Sequence, residues 1–259
     1  MIALDRKNAM RALLLSAGFG TRLRPLTDTI PKCMVPIRGK PLLDYWFDLL
    51  FQNGIERVAV NTHYLPETVV SFVKNSKWNS RIDIFHEDEL LGTAGTIRAL
   101  APFFDGQDFF VAHADNFVKF DLNRFLDLHE SRPIKCAMSL LSFRTDYPHS
   151  CGILELDDEN IVKKFHEKVE NPPGNLANGA VYILTHEVLD FIRAQHGKTL
   201  DLSNEVIPYF LNKIFSIETD GYHRDIGTLE SLKQAENDAL NLFSRSAEFS
   251  SHCAKSLQR

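Results

Sequence analysis

Two carboxylates, two cations and a glycine-rich turn are the residues of this sequence best suited to chemistry. Asp115 follows the apolar run Asp108–Ala112 (DFFVA), and Asp225 lies far downstream in YHRDIGT, residues 222–228. A carboxylate is a hard oxygen ligand suited to Mg²⁺, and one or two carboxylates plus substrate phosphates commonly hold that ion. Arg22 and Lys32 share one loop after the first apolar run, Arg11–Ser16 (RALLLS). Attack on a polyanionic phosphate needs such cations to neutralise charge and hold the groups in line. The turn Ser16-Ala17-Gly18-Phe19-Gly20-Thr21 lets backbone N–H groups approach an anion closely. Each feature also has a plainer reading. The glycines suit any strand-to-helix turn, the cations a solvated surface, and Asp225 the cap of a helix beginning near Thr228.

Two familiar phosphate loops are excluded. A dinucleotide fingerprint needs a third glycine at position 23, which is Leu23, so an NAD(P) oxidoreductase is disfavoured. A Walker loop needs Gly-Lys-Ser/Thr, whereas Gly20 is followed by Thr21-Arg22. The ten histidines include no paired metal-binding spacing, and no Ser–His–Asp set is assignable. Cys33, Cys136, Cys151 and Cys253 are scattered without a C-x-x-C pair, which argues against a zinc site or a disulfide framework. Cys33 stands beside Lys32, a neighbour that would lower its thiol pKa, and receives no role.

These groups need a scaffold that brings distant loops together, and the sequence supplies one. Apolar runs at 11–16, 57–61, 81–85 and 108–112 read as buried strands. Helical patterns alternate with them at 41–54 (opened by Pro41 and closed by Gly54), 65–75, 93–100 and 122–130. That rhythm implies a mostly parallel sheet covered on both faces. After residue 135 the strands 135–141, 152–156, 161–165 and 180–184 follow with little helix between them, a mixed-sheet extension. Helices return at 187–194, 203–211 and 229–242. The loop 17–40 carries three glycines, three prolines and five Lys or Arg; ordered loops of that length in compact domains are usually functional. Residues 10–243 read as one domain in two halves, 10–133 and 134–243. Residues 1–9 and 244–259 are short tails.

Composition bounds the rest. The chain has 259 residues, 44% hydrophobic and 24% charged, with formal net charge −5. This fits one large globular domain. It gives no reason to expect nucleic-acid or anionic-membrane binding. No apolar run approaches the roughly 18–20 residues of a membrane helix, and Asp5 interrupts any signal-peptide core. The expectation is a reduced, cytoplasmic protein, with homo-oligomer formation left open.

Gly18 to Pro41, GFGTRLRPLTDTIPKCMVPIRGKP, closely resembles the signature of sugar-1-phosphate nucleotidyltransferases. The resemblance implies a Rossmann-like three-layer α/β domain with a mostly parallel central sheet and a mixed-sheet sugar-binding extension. It places Ser16, Ala17, Gly18, Phe19, Gly20 and Thr21 on the nucleotide, with Arg22 and Lys32 around the reacting α-phosphate. Leu91-Gly92-Thr93-Ala94-Gly95 is similar to the family's Leu-Gly-Thr-Ala-Gly, which sets Gly92 and Thr93 beside base and sugar. Glu87 falls where the family's base-reading side chain originates. A carboxylate only accepts hydrogen bonds and guanine offers two adjacent donors, so Glu87 favours GTP; the plainer reading is a solvated charge in the acidic stretch 87–89. His113-Ala114-Asp115 resembles the family's Gly-Asp, departing from it at His113 and Ala114; His113 is taken as lining or packing the pocket. Asp115 and Asp225 match the two Mg²⁺ ligands. Glu167-Lys168 resembles the segment that binds the sugar 1-phosphate, with Gly152 and Asn178 at the sugar pocket and Ala180 where glycine is usual. The implied reaction joins an NTP to a sugar 1-phosphate. Too few residues follow 245 for the β-helix domain of longer members, so the resemblance is to the short bacterial mannose- and manno-heptose-1-phosphate guanylyltransferases. Enzymes using UTP, dTTP or CTP stay open, as does a catalytically silent relative that binds a nucleotide sugar and regulates a partner.

Overall fold

The computed structural model describes residues 10–104 and 106–256, with the side chains of the last helix as far as Leu242. The lead-in 1–9 lies outside the described residues. The chain runs β1 (Arg11–Leu15), β2 (Pro36–Ile37), β3 (Lys40–Pro41), α1 (Leu42–Gln52), β4 (Arg57–Thr62), α2 (Pro66–Asn75), β5 (Ile82–His86), α3 (Thr93–Ala99), β6 (Phe109–His113) and β7 (Asn116–Lys119). It continues through α4 (Leu122–Glu130), β8 (Met138–Arg144), β9 (Gly152–Leu156), β10 (Val162–Glu167), β11 (Leu176–Leu184) and α5 (His186–Ala194). A π-helical turn at Leu202–Val206, α6 (Ile207–Tyr209), β12 (Ile214–Glu218), β13 (Tyr222–Asp225) and α7 (Leu229–Ser256) complete it.

Strands β5, β4, β1 and β6 are parallel neighbours in that order. β11 closes the parallel half by pairing antiparallel with β6, and β8, β9, β10 and β12 extend the sheet beyond it. The expected mostly parallel sheet with a mixed extension is therefore present. Alternation along β1 shows why both faces are covered. Leu13 and Leu15 pack into one core with Ala94, Ile97, Val111 and Tyr182, while Ala12 and Leu14 pack into the other with Trp46, Phe47, Val58 and Phe125. Three layers result.

A third cluster fixes the long loop. Leu23, Val35 and Ile37 from the loop pack with Phe117 of β7, Ile226, and Ala235 and Ala239 of α7. Leu23, the residue that breaks the dinucleotide fingerprint, is fully buried there. Three 3-10 turns, Thr21–Leu23, Leu26–Asp28 and Lys32–Met34, carry the loop between these anchors.

Several elements differ from the sequence expectation. The strand expected at 135–141 is Met138–Arg144, because Met138 is the first residue with a partner on both sides, Leu184 of β11 and Ile214 of β12. The strand expected at 180–184 begins at Leu176, and the helix expected to end at Leu242 runs on to Ser256. The helix expected at 203–211 is a π turn followed by three α-helical residues. Strands β2, β3, β7, β12 and β13 were not expected at all. No helix among the described residues is long and apolar enough to cross a membrane.

Candidate active site

β4 and β5 lie to one side of β1 and β6 to the other. In such sheets the crevice at the carboxyl ends of the strands flanking this reversal is where ligands bind. Ser16 leaves β1 there, and Asp115 leaves β6 there. The crevice holds a cleft of about 230 Å³ lined by Ser16, Ala17, Gly18, Lys32, Glu87, Gly92, Thr93, His113 and Asp115, with Asn61 and Thr96.

Lys32 organises the floor. Its Nζ donates to Asp115 Oδ2 at 2.5 Å and to Asp225 Oδ1 at 2.9 Å. Burial pushes the Lys32 pKa down, but the two carboxylates outweigh it and the net shift is upward. Burial likewise pushes Asp115 up, yet Lys32, helped by His113, brings it below the usual carboxylate range. Lys32 is therefore charged and Asp115 ionised. Arg22 Nη2 lies 3.6 Å from Asp225 Oδ2, on the exposed side of the pair. Gly20 has φ +63°, and a Cβ on it would press within 3.2 Å of the Lys32 Cβ, so glycine suits this corner.

The carboxylates converge because their strands pair. β7 and β13 form a two-stranded ribbon in which Asn116 opposes Asp225, and Asp115 precedes Asn116. Ile226 N–H donates to Asp115 O at 3.2 Å. Asp225 does not cap the following helix. Thr228 does so, through Ser231 N–H to Thr228 Oγ1 at 3.1 Å, while the Asp225 carboxylate faces Lys32 and Arg22. Two carboxylates that share one ammonium are placed to share one small hard cation, so they fit Mg²⁺. Among the described residues no cluster of three or more His, Cys, Asp or Glu could hold a metal; other ligands to such an ion would be phosphate or water oxygens.

The opposite wall is built around Glu87, which is only 3% exposed. Its Oε1 accepts from Asn61 Nδ2 at 2.8 Å and Thr96 Oγ1 at 2.6 Å, and its Oε2 accepts from Leu91 N–H at 3.1 Å. The solvated reading is thus overturned. With three of about four acceptor positions in use, the carboxylate has room for one more donor and not for the adjacent pair that guanine presents. Asn61 also accepts from Ser16 N–H at 2.6 Å, locking the glycine turn to this wall. Sequence reasoning passed over Asn61; its signal was a polar residue at the carboxyl end of the apolar run Val58–Val60.

Gly92 and Thr93 are held from behind. Leu200 O accepts from Ala94 N–H at 2.9 Å and Gly95 N–H at 3.0 Å, and Thr93 Oγ1 donates to Asp201 Oδ2 at 2.9 Å. Phe19 stands outside the cleft lining, 43% exposed, with its ring against His63 and Tyr64. Thr21 is exposed. Cys33 does not have the lowered pKa its neighbour suggested: burial pushes the thiol up to about 12.

The remaining expected residues gather on β9, β10 and β11 and, for Lys168, just past the end of β10, outside the cleft lining. Glu167 opposes Gly152, where a Cβ would come within 2.5 Å of the Phe165 ring. Lys168 is largely exposed, with φ +49° and its Nζ 3.0 Å from Glu167 Oε1. Asn178 Nδ2 donates to Tyr182 Oη at 2.7 Å, and Asn178 Oδ1 accepts from Ala180 N–H at 3.0 Å. Ala180 has φ +52°, strained for a residue with a Cβ.

The fold and this site define a three-layer α/β protein with a glycine-lined crevice that holds a Lys–Asp–Asp cluster. The chain belongs to the Nucleotidyl transferase family, whose pattern it matches over residues 11–241. It is 31% identical over 251 residues to a mannose-1-phosphate guanylyltransferase of Mycobacterium tuberculosis, covering 95% of this chain and 69% of that one. It is 29% identical to a UTP–glucose-1-phosphate uridylyltransferase of Synechocystis, covering 90% and 64%. The chain spans 61–69% of the length of the curated relatives it first matches. Among solved structures, HddC from Yersinia pseudotuberculosis superimposes with a TM-score of 0.73 at 25% identity, covering 88% of this chain and 99% of that one. HddC has also been solved in complex with GMP-PN.

Proposed function

We propose that this chain is a sugar-1-phosphate nucleotidyltransferase: NTP + sugar 1-phosphate → NDP-sugar + pyrophosphate. The observation that carries the reading is the Lys32 ammonium held between Asp115 and Asp225 beside the glycine turn. A phosphate oxygen of the sugar 1-phosphate attacks the α-phosphorus, the bond from that phosphorus to the bridging oxygen breaks, and pyrophosphate leaves with the electron pair. No covalent enzyme nucleophile is needed. Ala17 to Thr21 bind the triphosphate through backbone N–H groups, Ser16 anchors that turn by giving its own N–H to Asn61, and Arg22 and Lys32 stabilise charge that develops in the transition state. Asp115 and Asp225 would hold Mg²⁺, which when bound offsets phosphate charge. Lys168 and Glu167, with Gly152 and Asn178, bind the sugar 1-phosphate. Holding two anions together against their repulsion is the main task, and fixed geometry alone supplies roughly 7–11 kcal/mol of such barriers.

GTP with a mannose- or manno-heptose-1-phosphate is the favoured pair, supported by the guanylyltransferase relative rather than by Glu87. The uridylyltransferase relative supports UTP as the second reading. The test is pyrophosphate release by the purified chain, crossing GTP, UTP, dTTP, CTP and ATP with mannose-, glucose-, glucosamine- and heptose-1-phosphates, with and without Mg²⁺. Mg²⁺-dependent release in one combination establishes the activity and names both substrates. Silence across the panel with calorimetric binding of an NDP-sugar favours a regulatory binding protein instead.

A further inference from the structure

The ribbon of β7 and β13 carries more than the two carboxylates. Its side chains also reach across to β11. His223 Nε2 lies 2.8 Å from Gly179 O, and Asn116 Nδ2 donates to the same oxygen at 3.3 Å. A carbonyl only accepts, so Nε2 carries the proton and His223 is the donor. Its other ring nitrogen, Nδ1, is buried with no hydrogen-bond partner among the described residues. A buried orphan atom of this kind costs stability, so the ring is held here for what Nε2 does.

What Nε2 holds is a deformation. The pairing of β11 with β8 runs from Asn178↔Ser142 to Tyr182↔Leu140, so β11 has two residues more than its partner over this stretch. Gly179 and Ala180 form the bulge. A Cβ on Gly179 would stand 2.8 Å from Leu141 O and in van der Waals contact, 3.4 Å, with the His223 ring, so the Leu141 carbonyl requires glycine here. Ala180 takes its positive φ in the same bulge, and Asn178 directly precedes it. His223 is stacked on Phe143 of β8, ring centroids 4.0 Å apart, which fixes the plane of the ring.

We infer that His223 is a positioning residue that sets the sugar-phosphate subsite on β11 at a fixed distance from the Asp115–Asp225 cation site. The inference rests on the functional reading above, because that reading assigns Asn178 to the sugar 1-phosphate. His223 lies two residues before Asp225 and Asn116 one after Asp115, so a single hydrogen-bonded ribbon ties both carboxylates to one carbonyl of the bulge. The nucleotide wall, built from β1, β4 and α3, has no part in this link. Loss of the His223 bond should therefore disturb the sugar phosphate and spare the NTP.

The test is steady-state kinetics on the full chain, varying each substrate separately, for His223→Phe, His223→Gln and His223→Asn, with a melting curve for each. Phenylalanine keeps the stacking and deletes the donor. Glutamine carries its amide nitrogen the same number of bonds from Cα as imidazole Nε2, and asparagine carries it one bond short. In His223→Phe the KM for sugar 1-phosphate should rise about tenfold or more with a fall in kcat, and the NTP KM should change less than about twofold. His223→Gln should recover wild-type values to within about threefold, and His223→Asn should not. Should the phenylalanine variant not fold, the contrast of glutamine with asparagine carries the test. Wild-type kinetics in His223→Phe, equal changes in both KM values, or no difference between glutamine and asparagine would overturn the inference while leaving the activity standing. Wild-type protein silent with every substrate pair would overturn the functional reading, and this inference with it.

Discussion

The Lys32 ammonium stands 2.5 Å from the Asp115 carboxylate, 83 residues away in sequence, and the same ammonium meets Asp225 at 2.9 Å, 193 residues away. A loop, a strand end and the second strand of a ribbon thus meet at one charge. Asp115→Asn keeps the shape and one acceptor oxygen but removes the charge. Turnover should fall at least about a hundredfold, the scale of losing one preorganised electrostatic group, with the melting temperature little changed. Near-normal turnover would remove Asp115 from the cation site.

Lys32→Met makes the complementary test. Without the ammonium, the two carboxylates face one another with only the exposed Arg22 guanidinium beside Asp225, and like charges so close repel. The variant should melt lower than wild type in EDTA and gain more from added MgCl₂, because a bound cation takes over the neutralisation. An equal Mg²⁺ response in the two proteins would show that Asp115 and Asp225 do not share an ion.

Gly92 is the backbone point on which the wall around Glu87 turns. It has φ +78°, and a Cβ there would lie 2.5 Å from Leu200 O, the carbonyl that receives the Ala94 and Gly95 N–H groups. Gly92→Ala must shift that carbonyl as well as adopt a disfavoured φ, which costs about 1–3 kcal/mol. Chemical denaturation should show that loss, and the KM for NTP should rise. Unchanged stability would mean that the segment around Leu200 is free to move away from the wall.

Much of this was legible in the sequence, and what was not has a common cause. Short apolar runs such as RALLL and DFFVA must be buried wherever they lie, so the parallel core could be read directly. β7 and β13 could not, because NFVK and YHRD show no such run and are strands only by pairing with each other across more than a hundred residues. Glu87 illustrates the same limit in the site. The stretch Glu87-Asp88-Glu89 is acidic and looks solvated, yet Glu87 is buried because Asn61 reaches it from the neighbouring strand. Which partner arrives from a distant segment decides whether a polar residue is surface, scaffold or site.

Cys33 offers a check on burial at the cleft. The thiol is 1% exposed and pushed up to about 12, chiefly by burial. Only the thiolate alkylates readily. Iodoacetamide at pH 8 should leave Cys33 unmodified in the folded chain and modify it after denaturation, as read by peptide mass spectrometry. Rapid labelling of the native protein would mean that the Lys32–Met34 turn opens in solution.

At the opposite end of β6, His129 gives the stability a pH dependence whose sign can be worked out. Its Nε2 lies 3.1 Å from Asp108 Oδ2, so that nitrogen holds the proton, and Nδ1 accepts from Ser139 Oγ at 2.9 Å. Burial lowers the His129 pKa, Asp108 raises it and Arg132 lowers it, and the net shift is downward. Below pH of about 6.5 the unfolded chain therefore binds protons that the folded chain refuses. Stability from this group is complete above about 6.5 and is lost as pH falls from there, at up to about 1.4 kcal/mol per pH unit. Asp108 acts in the same direction in a lower window. Its own pKa lies below the usual carboxylate value, its burial outweighed by His129 and Arg132, so its contribution is lost as pH falls below about 4. His223, pushed down to about 4 by burial, adds a second histidine to the upper window. His129→Gln keeps a donor for Asp108 and cannot ionise. Urea denaturation at pH 7.5, 6.5, 5.5 and 4.5 should show wild type losing stability across the upper window and the variant losing less. Parallel curves for the two proteins would show that His129 carries no part of the acid sensitivity.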